Sequence, residues 1–187
     1  MGDVIIHATI TVDGFMADPE GGMDWMFGFD SADEDDEYIG SVVSELGAVV
    51  GGANKTQTIE EGELPYGGTL GIPVFEMTHT PHDPVELNGT TYTFVVDDIA
   101  SAVEHARAAA GDKSVALLGG SIARQCLALG LVNEIVLHVV PLLLGDGISL
   151  FAGLGNEIKL ERLDTAAFAD AIHLRFRVVR TADLRSS

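Results

Sequence analysis

Two adjacent glycines followed by a hydroxyl residue, Gly119-Gly120-Ser121, carry the clearest chemical capacity in the chain. They follow the apolar run 115–118. They precede Ile122, Cys126 and Leu129, apolar positions at helical spacing, and Gly130 suits the helix end. Ser121 is placed to cap that helix. Glycine lets backbone approach a ligand closely, and the free N–H groups of a first helical turn attract anions. The chemistry expected here is a grip on a nucleotide diphosphate. A tight strand-to-helix turn with no ligand uses the same residues.

Asp13 is the next candidate. It ends an apolar strand and begins a long glycine-bearing loop, so its carboxylate can reach a ligand or supply a proton. An Asp-Gly turn in which the side chain caps its own backbone is the alternative. His79, His82 and Asp83 form H-T-P-H-D, but two prolines make the segment irregular and no second ligand cluster accompanies it, so no metal is expected. His7 and His138 lie inside apolar strands and read as satisfied core histidines. Asp146, in a Gly-Asp-Gly turn, is a weak substrate-contact candidate. Cys126, the only cysteine, falls on an apolar helix face and reads as a packed thiol.

The elements that must position these groups alternate between strand and helix, which argues for an α/β fold. Strands are expected over 4–12, 48–50, 73–77, 92–96, 114–118 and 134–140. Helices are expected over 33–46, 53–61 and 97–110, and a closing antiparallel pair over 158–163 and 171–179. In that last strand Leu174, Phe176 and Val178 share one face, and His173, Arg175 and Arg177 the other. Residues 14–30 hold four glycines with no clear period, and a long loop inside a compact domain is usually functional. The chain has 187 residues, 47% of them hydrophobic, which fits one domain (1–187) and excludes disorder. Net charge is −19, from 29 acidic against 10 basic residues, which disfavours nucleic acid and anionic membrane. No apolar run approaches the roughly 20 residues of a spanning helix, and the N-terminus lacks a basic signal start, so a cytoplasmic location is expected.

Three blocks in order resemble the dihydrofolate reductase-like superfamily, in particular the reductase domain of riboflavin biosynthesis and its stand-alone relatives. They are Thr11-Val12-Asp13-Gly14-Phe15-Met16-Ala17 against S-x-D-G-F-x-A, the Gly119-Gly120 turn with its helix, and Val139 to Phe151 against V-x-P-x-x-L-G-x-G-x-x-L-F. The resemblance implies a three-layer α/β/α arrangement, with a mostly parallel twisted sheet and an antiparallel C-terminal hairpin. It implies NADPH, with NADH possible, as cofactor, and a small-molecule substrate such as a pterin or a ribosylamino-pyrimidine. Gly119, Gly120, Ser121, Ile122 and Ala123 would cradle the diphosphate by backbone donors. Trp25 would stack near a pyrimidine-like ring, or anchor the loop. Asp33 or Asp36, if turned inward, would hold the substrate from the helix over 33–46. Several relatives pair as homodimers through strand edges, so a homodimer is expected.

Two departures bear on the cofactor. The family usually carries G-R-x-T after its second strand; here Gly52 is followed by Ala53-Asn54-Lys55-Thr56, and Lys55 and Thr56 stand in with a shifted register. Where the family often has T-H-R-P, this chain has Thr78-His79-Thr80-Pro81. An arginine offers a fixed cationic fork to a phosphate and threonine only a hydroxyl, so preference for NADPH over NADH should weaken. The segment 14–30 holds no lysine or arginine, which counts against a phosphorylated or glutamate-tailed substrate, although Arg124 can serve from elsewhere. Three readings follow: a riboflavin-reductase-like enzyme, a dihydrofolate reductase, or a nucleotide-binding protein that kept the fold without the catalysis.

Overall fold

The computed structural model describes residues 1–30, 32–52 and 70–179. Apolar, β-branched β1 (Val4–Thr11) is followed by short β2 (Phe15–Ala17) and a 3-10 turn at Asp24–Phe27. Then come α1 (Asp33–Ser44), β3 (Leu46–Gly52), β4 (Val74–Met77), β5 (Val85–Leu87), β6 (Thr90–Val95) and α2 (Ile99–Ala110). The chain continues with β7 (Ser114–Leu117), α3 (Gly120–Ala128), β8 (Glu134–Val140), β9 (Ile148–Ser149), β10 (Leu160–Phe168) and β11 (Ala171–Val178).

Nine strands form one sheet in the order β10-β11-β8-β1-β7-β3-β4-β6-β5. The six strands from β8 to β6 run parallel, and β5, β10 and β11 add antiparallel pairs at the two edges. One sheet face packs on α2 and α3: Val4, Ile6, Val50 and Leu117 meet Val103, Ala106, Ile122 and Cys126, all buried. Each large apolar side chain so buried is worth about 1.5–3 kcal/mol. The other face packs on α1, where Val42 meets Ile5 and Val136. The expected three-layer α/β architecture with an antiparallel hairpin at its end is what the chain adopts.

Several boundaries differ from expectation for identifiable reasons. Helix α1 stops at Ser44, because Leu46 serves the sheet: it is 2% exposed and opens β3, which is longer than the expected 48–50. The loop over 14–30 contains β2, which pairs with β9 as Phe15↔Ser149 and Ala17↔Ile148. Both partners are too short to show a period. An Asn88-Gly89 turn, with both φ positive, joins β5 to β6; β5 is only three residues long and shows no period in the sequence. The C-terminal hairpin is longer than expected, and its first strand begins at Leu160. The helix expected over 53–61 lies outside the described residues.

Candidate functional site

Strand lengths create the site. The β1–β7 pairing ends at Ile6↔Leu117, and β3–β7 ends at Val50↔Leu117. After Leu118, whose N–H still reaches Val50 O at 2.9 Å, the chain turns away into α3. Strand β1 continues to Thr11 against β8, and β3 continues to Gly52 against β4. A notch one strand wide is left at the C-terminal end of β7. Residues 7–11 form one wall, Gly51-Gly52 the other, and Gly119-Gly120 the floor. Clefts of this kind, beyond the carboxyl ends of parallel strands, are where open α/β sheets bind ligands.

The floor is built for close approach. Gly119 caps α3 with φ 91° and ψ 138°, a conformation open to glycine, and a Cβ there would meet nothing within 4 Å. The N–H groups of Gly120, Ser121 and Ile122 precede the first intrahelical bond, which runs from Ala123 N–H to Gly119 O at 3.0 Å. Ala123 is therefore no donor to a ligand, contrary to expectation; its N–H closes the first turn. Ser121 does not cap the helix either. Its Oγ accepts instead from Gln125 Nε2 at 3.1 Å. A Cβ on Gly120 would lie 2.8 Å from Arg124 Nη1, 3.2 Å from Ser149 O and 3.3 Å from Met16 Sδ.

Arg124 is thus held at the glycine corner, its Nη1 donating to Ser149 O at 2.7 Å. That bond ties α3 to β9, and β9 to β2, so the segment 141–151 packs onto the floor. Gly147 permits the contact: a Cβ there would sit 2.3 Å from Ala17 O. Backbone donors, a helix terminus and one cation meet here, and this donor set fits a dinucleotide's diphosphate.

The remaining expected cofactor residues line the same edge farther along. Gly52 packs against Ile122, 3.3 Å from its would-be Cβ to Cγ1. Thr78, His79 and Thr80 follow β4. Thr78 Oγ1 donates to Thr80 O and accepts from Thr80 N–H, both at 3.2 Å, so this segment closes on itself. His79 and Thr80 are exposed. Lys55 and Thr56 lie outside the described residues.

The three residues expected to do chemistry, Asp13, Trp25 and Asp33, have different surroundings. Asp13 is exposed and committed to backbone and hydroxyl donors. Thr11 Oγ1 donates to it at 2.5 Å, Gly145 N–H at 2.8 Å and Leu144 N–H at 3.3 Å. The Thr11 hydroxyl above all, with those two amides, holds its carboxyl below the usual range. It pins β1's turn to the 141–151 segment. Trp25 sits half-buried in the 3-10 turn, with its indole N–H buried and lacking a partner among the described residues. Asp33 and Asp36 are exposed on α1.

The inward carboxylate is Asp35, 3% exposed. It is the third residue of α1. Its Oδ2 reaches back to accept from Ala32 N–H at 2.7 Å, half of a capping box. Its Oδ1 meets His173 Nε2 at 2.7 Å. His173 Nδ1 meets His138 Nδ1, and His138 Nε2 meets His7 Nε2, each at 2.7 Å. Tyr38 lies over His173 with ring centroids 4.7 Å apart. Burial pushes His7 down to about 4, and burial with the two neighbouring rings pushes His138 down to about 3, so both are neutral near pH 7. Burial would raise Asp35, but the Ala32 and His173 hydrogen bonds outweigh it and hold the carboxyl below its usual range. The sequence showed these histidines only as separate residues in apolar strands. Their common face follows from strand parity, and their adjacency from the order β11-β8-β1. The face carrying His173, Arg175 and Arg177 turns out to be covered by α1 over its first two residues: Arg175 pairs with Glu45 and Glu134.

Residues 76–174 match the family model described as RibD C-terminal domain. A Shewanella sp. PV-4 protein provisionally assigned to riboflavin biosynthesis superposes with a TM-score of 0.79 at 19% identity, over 95% of this chain and 99% of that one. The Saccharomyces cerevisiae riboflavin biosynthesis reductase Rib7 gives 0.59 at 11% identity, over 95% and 90%. Dihydrofolate reductase from Enterococcus faecalis, in a complex with NADP(H), gives 0.60 at 10% identity, over 96% and 98%. These likenesses establish a dihydrofolate reductase-like fold.

Proposed function

The chain belongs to the RibD C-terminal domain family, and from that premise we propose that it is a reductase passing hydride from NADPH or NADH to a small heterocyclic acceptor. The acceptor class is pterin-like or ribosylamino-pyrimidine-like. The observation that carries this reading is the glycine corner: at the end of β7, three first-turn amides precede the first intrahelical bond, and Arg124 Nη1 lies 2.8 Å from where a Gly120 Cβ would stand. The bound nicotinamide would supply the hydride. The chain's own residues would seat the diphosphate at Gly119–Ile122, with β2 and β9 closing over it. Gly51 and Gly52 leave the β3 wall low, and Thr78 to Thr80 continue the edge toward the adenosine end.

Asp35 decides between the enzymatic alternatives. Folate reduction by a helix carboxylate asks for one that faces the substrate, and here it is spent on Ala32 and His173. That favours the riboflavin-reductase-like reading. No arginine stands in the 78–81 segment to meet a ribose 2′-phosphate. Discrimination between NADPH and NADH is accordingly expected to be less than about tenfold, or about 1.4 kcal/mol. The exposed edge strand β10 supports a homodimer. Fluorescence titration with each reduced cofactor is the test. Binding of both supports the reading; no binding of either at millimolar concentration removes it.

A further inference from the structure

The charges of this chain are sorted along the strand direction. Seven of its ten lysines and arginines lie in the described residues; Lys55, Arg180 and Arg185 do not. Six of the seven stand at the end of the sheet where the parallel strands begin. Lys113 directly precedes β7 and donates to Ser44 O. Arg107 donates to Asn133, directly before β8. Arg175 pairs with Glu45 and with Glu134, the first residue of β8. Arg177 lies opposite Glu134 in the sheet and pairs with Glu161. Lys159 directly precedes β10, and Arg162 is in register with Phe176, itself opposite Ile135 near the start of β8. The seventh is Arg124, in α3, a helix that begins where β7 has ended.

Carboxylates crowd the opposite end, beyond the carboxyl ends of the parallel strands. Asp13 follows β1, Asp98 follows β6 and Asp146 follows β8. The connection from β1 to α1 adds Glu20, Asp24 and Asp30, all exposed, and the first turn of α1 is acidic at each position from 33 to 36. In sequence, the segment 53–69 sets three glutamates against Lys55. The seven residues of β8, at about 3.3 Å each, put its two ends about 20 Å apart. Screening at ordinary salt acts over about 8 to 10 Å, so cations at the amino end contribute little at the notch. The carboxylates around the notch set its potential. Arg124 is the one described cation at that end, and its Nη1 is already bonded to Ser149 O at 2.7 Å.

We propose that the acceptor enters this site without phosphate or carboxylate, as an uncharged or protonated heterocycle: a free base or a nucleoside, and neither a nucleotide nor a glutamate-tailed pterin. This rests on the reductase reading above and narrows it. In that reading the cofactor's diphosphate takes the first-turn amides of α3 with Arg124 beside them. A phosphate on the acceptor would bring about two further negative charges near pH 7. Among the described residues no second cation stands at this end to meet them, and the surrounding carboxylates repel them. A neutral ring enters the same field without that cost, and a protonated one is drawn in.

Trp25, the only tryptophan, sits half-buried in the β1–α1 connection and reports the potential there without any ligand. Its fluorescence is quenched with caesium, iodide and neutral acrylamide, each relative to N-acetyltryptophanamide. At low salt iodide is expected to quench at least about threefold less than caesium, and the gap should close near 1 M salt. Glu20→Lys with Asp30→Lys should at least halve the gap. Asp3→Lys with Asp112→Lys makes the same change in net charge at the amino end and should leave it. Equal quenching by the two ions in wild type, or an equal response to both double variants, overturns the proposal. The ligand arm titrates NADH-saturated protein with biopterin against folic acid, and with uridine against uridine 5′-phosphate. In whichever pair binds, the uncharged member should bind at least about tenfold tighter, and the charged one should gain affinity as salt rises. A charged member that binds as tightly overturns the proposal and leaves the reductase reading intact; failure of both pairs overturns the acceptor class. If NADH does not bind, the reductase reading falls and the acceptor proposal with it, while the quenching result stands.

Discussion

Gly119→Ala and Gly130→Ala put the same methyl group at the two ends of α3. Both glycines have positive φ, +91° and +68°, and at neither would the new Cβ meet an atom within 4 Å. The cost in each is therefore backbone strain, about 1–3 kcal/mol. For a chain of this size each kcal/mol lowers Tm by about 2–4 °C, so both variants should melt about 2–12 °C below wild type. Their ligand effects should diverge. The open space at Gly119 is where the diphosphate is proposed to sit, and a methyl group there holds it away from the Gly120 and Ser121 amides. Losing one charge-assisted hydrogen bond costs about 1.5–3 kcal/mol, or roughly 10- to 150-fold in affinity. Gly130 lies at the opposite end of the helix and should leave affinity unchanged. Differential scanning fluorimetry gives the stability arm, and NADPH fluorescence titration the binding arm. Equal NADPH affinity in the two variants would refute the diphosphate seat, because the strain they share cannot hide a difference in binding.

Asp13→Asn should lower stability at neutral pH by an amount that shrinks in acid. The Asp13 carboxyl is held below 3.8 in the folded chain, so its contribution is intact above that value and is lost as pH falls through the folded pKa. Urea midpoints of wild type and variant should differ equally at pH 7 and 5 and converge toward pH 3; a gap that widens in acid contradicts the clamp. Cys126 is 0% exposed, and burial pushes its thiol up to about 12. It should resist a thiol-specific disulfide reagent at pH 8 in the native state and react at once in urea; rapid native labelling would show that α3 does not pack as described.

The local code of this chain marked the glycine turn before α3 well and its polar core poorly. Gly119-Gly120 after an apolar strand is a contiguous signal, and so are the 11–17 and 139–151 blocks, because each turn forms from neighbours in sequence. Strand parity likewise set which residues of β1, β7 and β8 face the helices. The misassigned ends of α1 and β3 arose where one leucine, Leu46, satisfies helical spacing yet packs in the sheet.

Composition and periodicity by themselves determined an α/β chain with alternating elements, a glycine turn leading into a helix, and a buried thiol. Tertiary structure alone decided that Asp35, rather than Asp33 or Asp36, turns inward. It also decided that Arg124 donates to Ser149 O, 25 residues away, and that Asp35 and three histidines, 131, 35 and 138 residues from their partners, join in one hydrogen-bonded line. The physical reason is range. A turn or a helical face is fixed by residues a few positions apart, whereas a hydrogen-bonded line across β1, β8, β11 and α1 exists only once strand order and register bring distant segments within 2.7 Å.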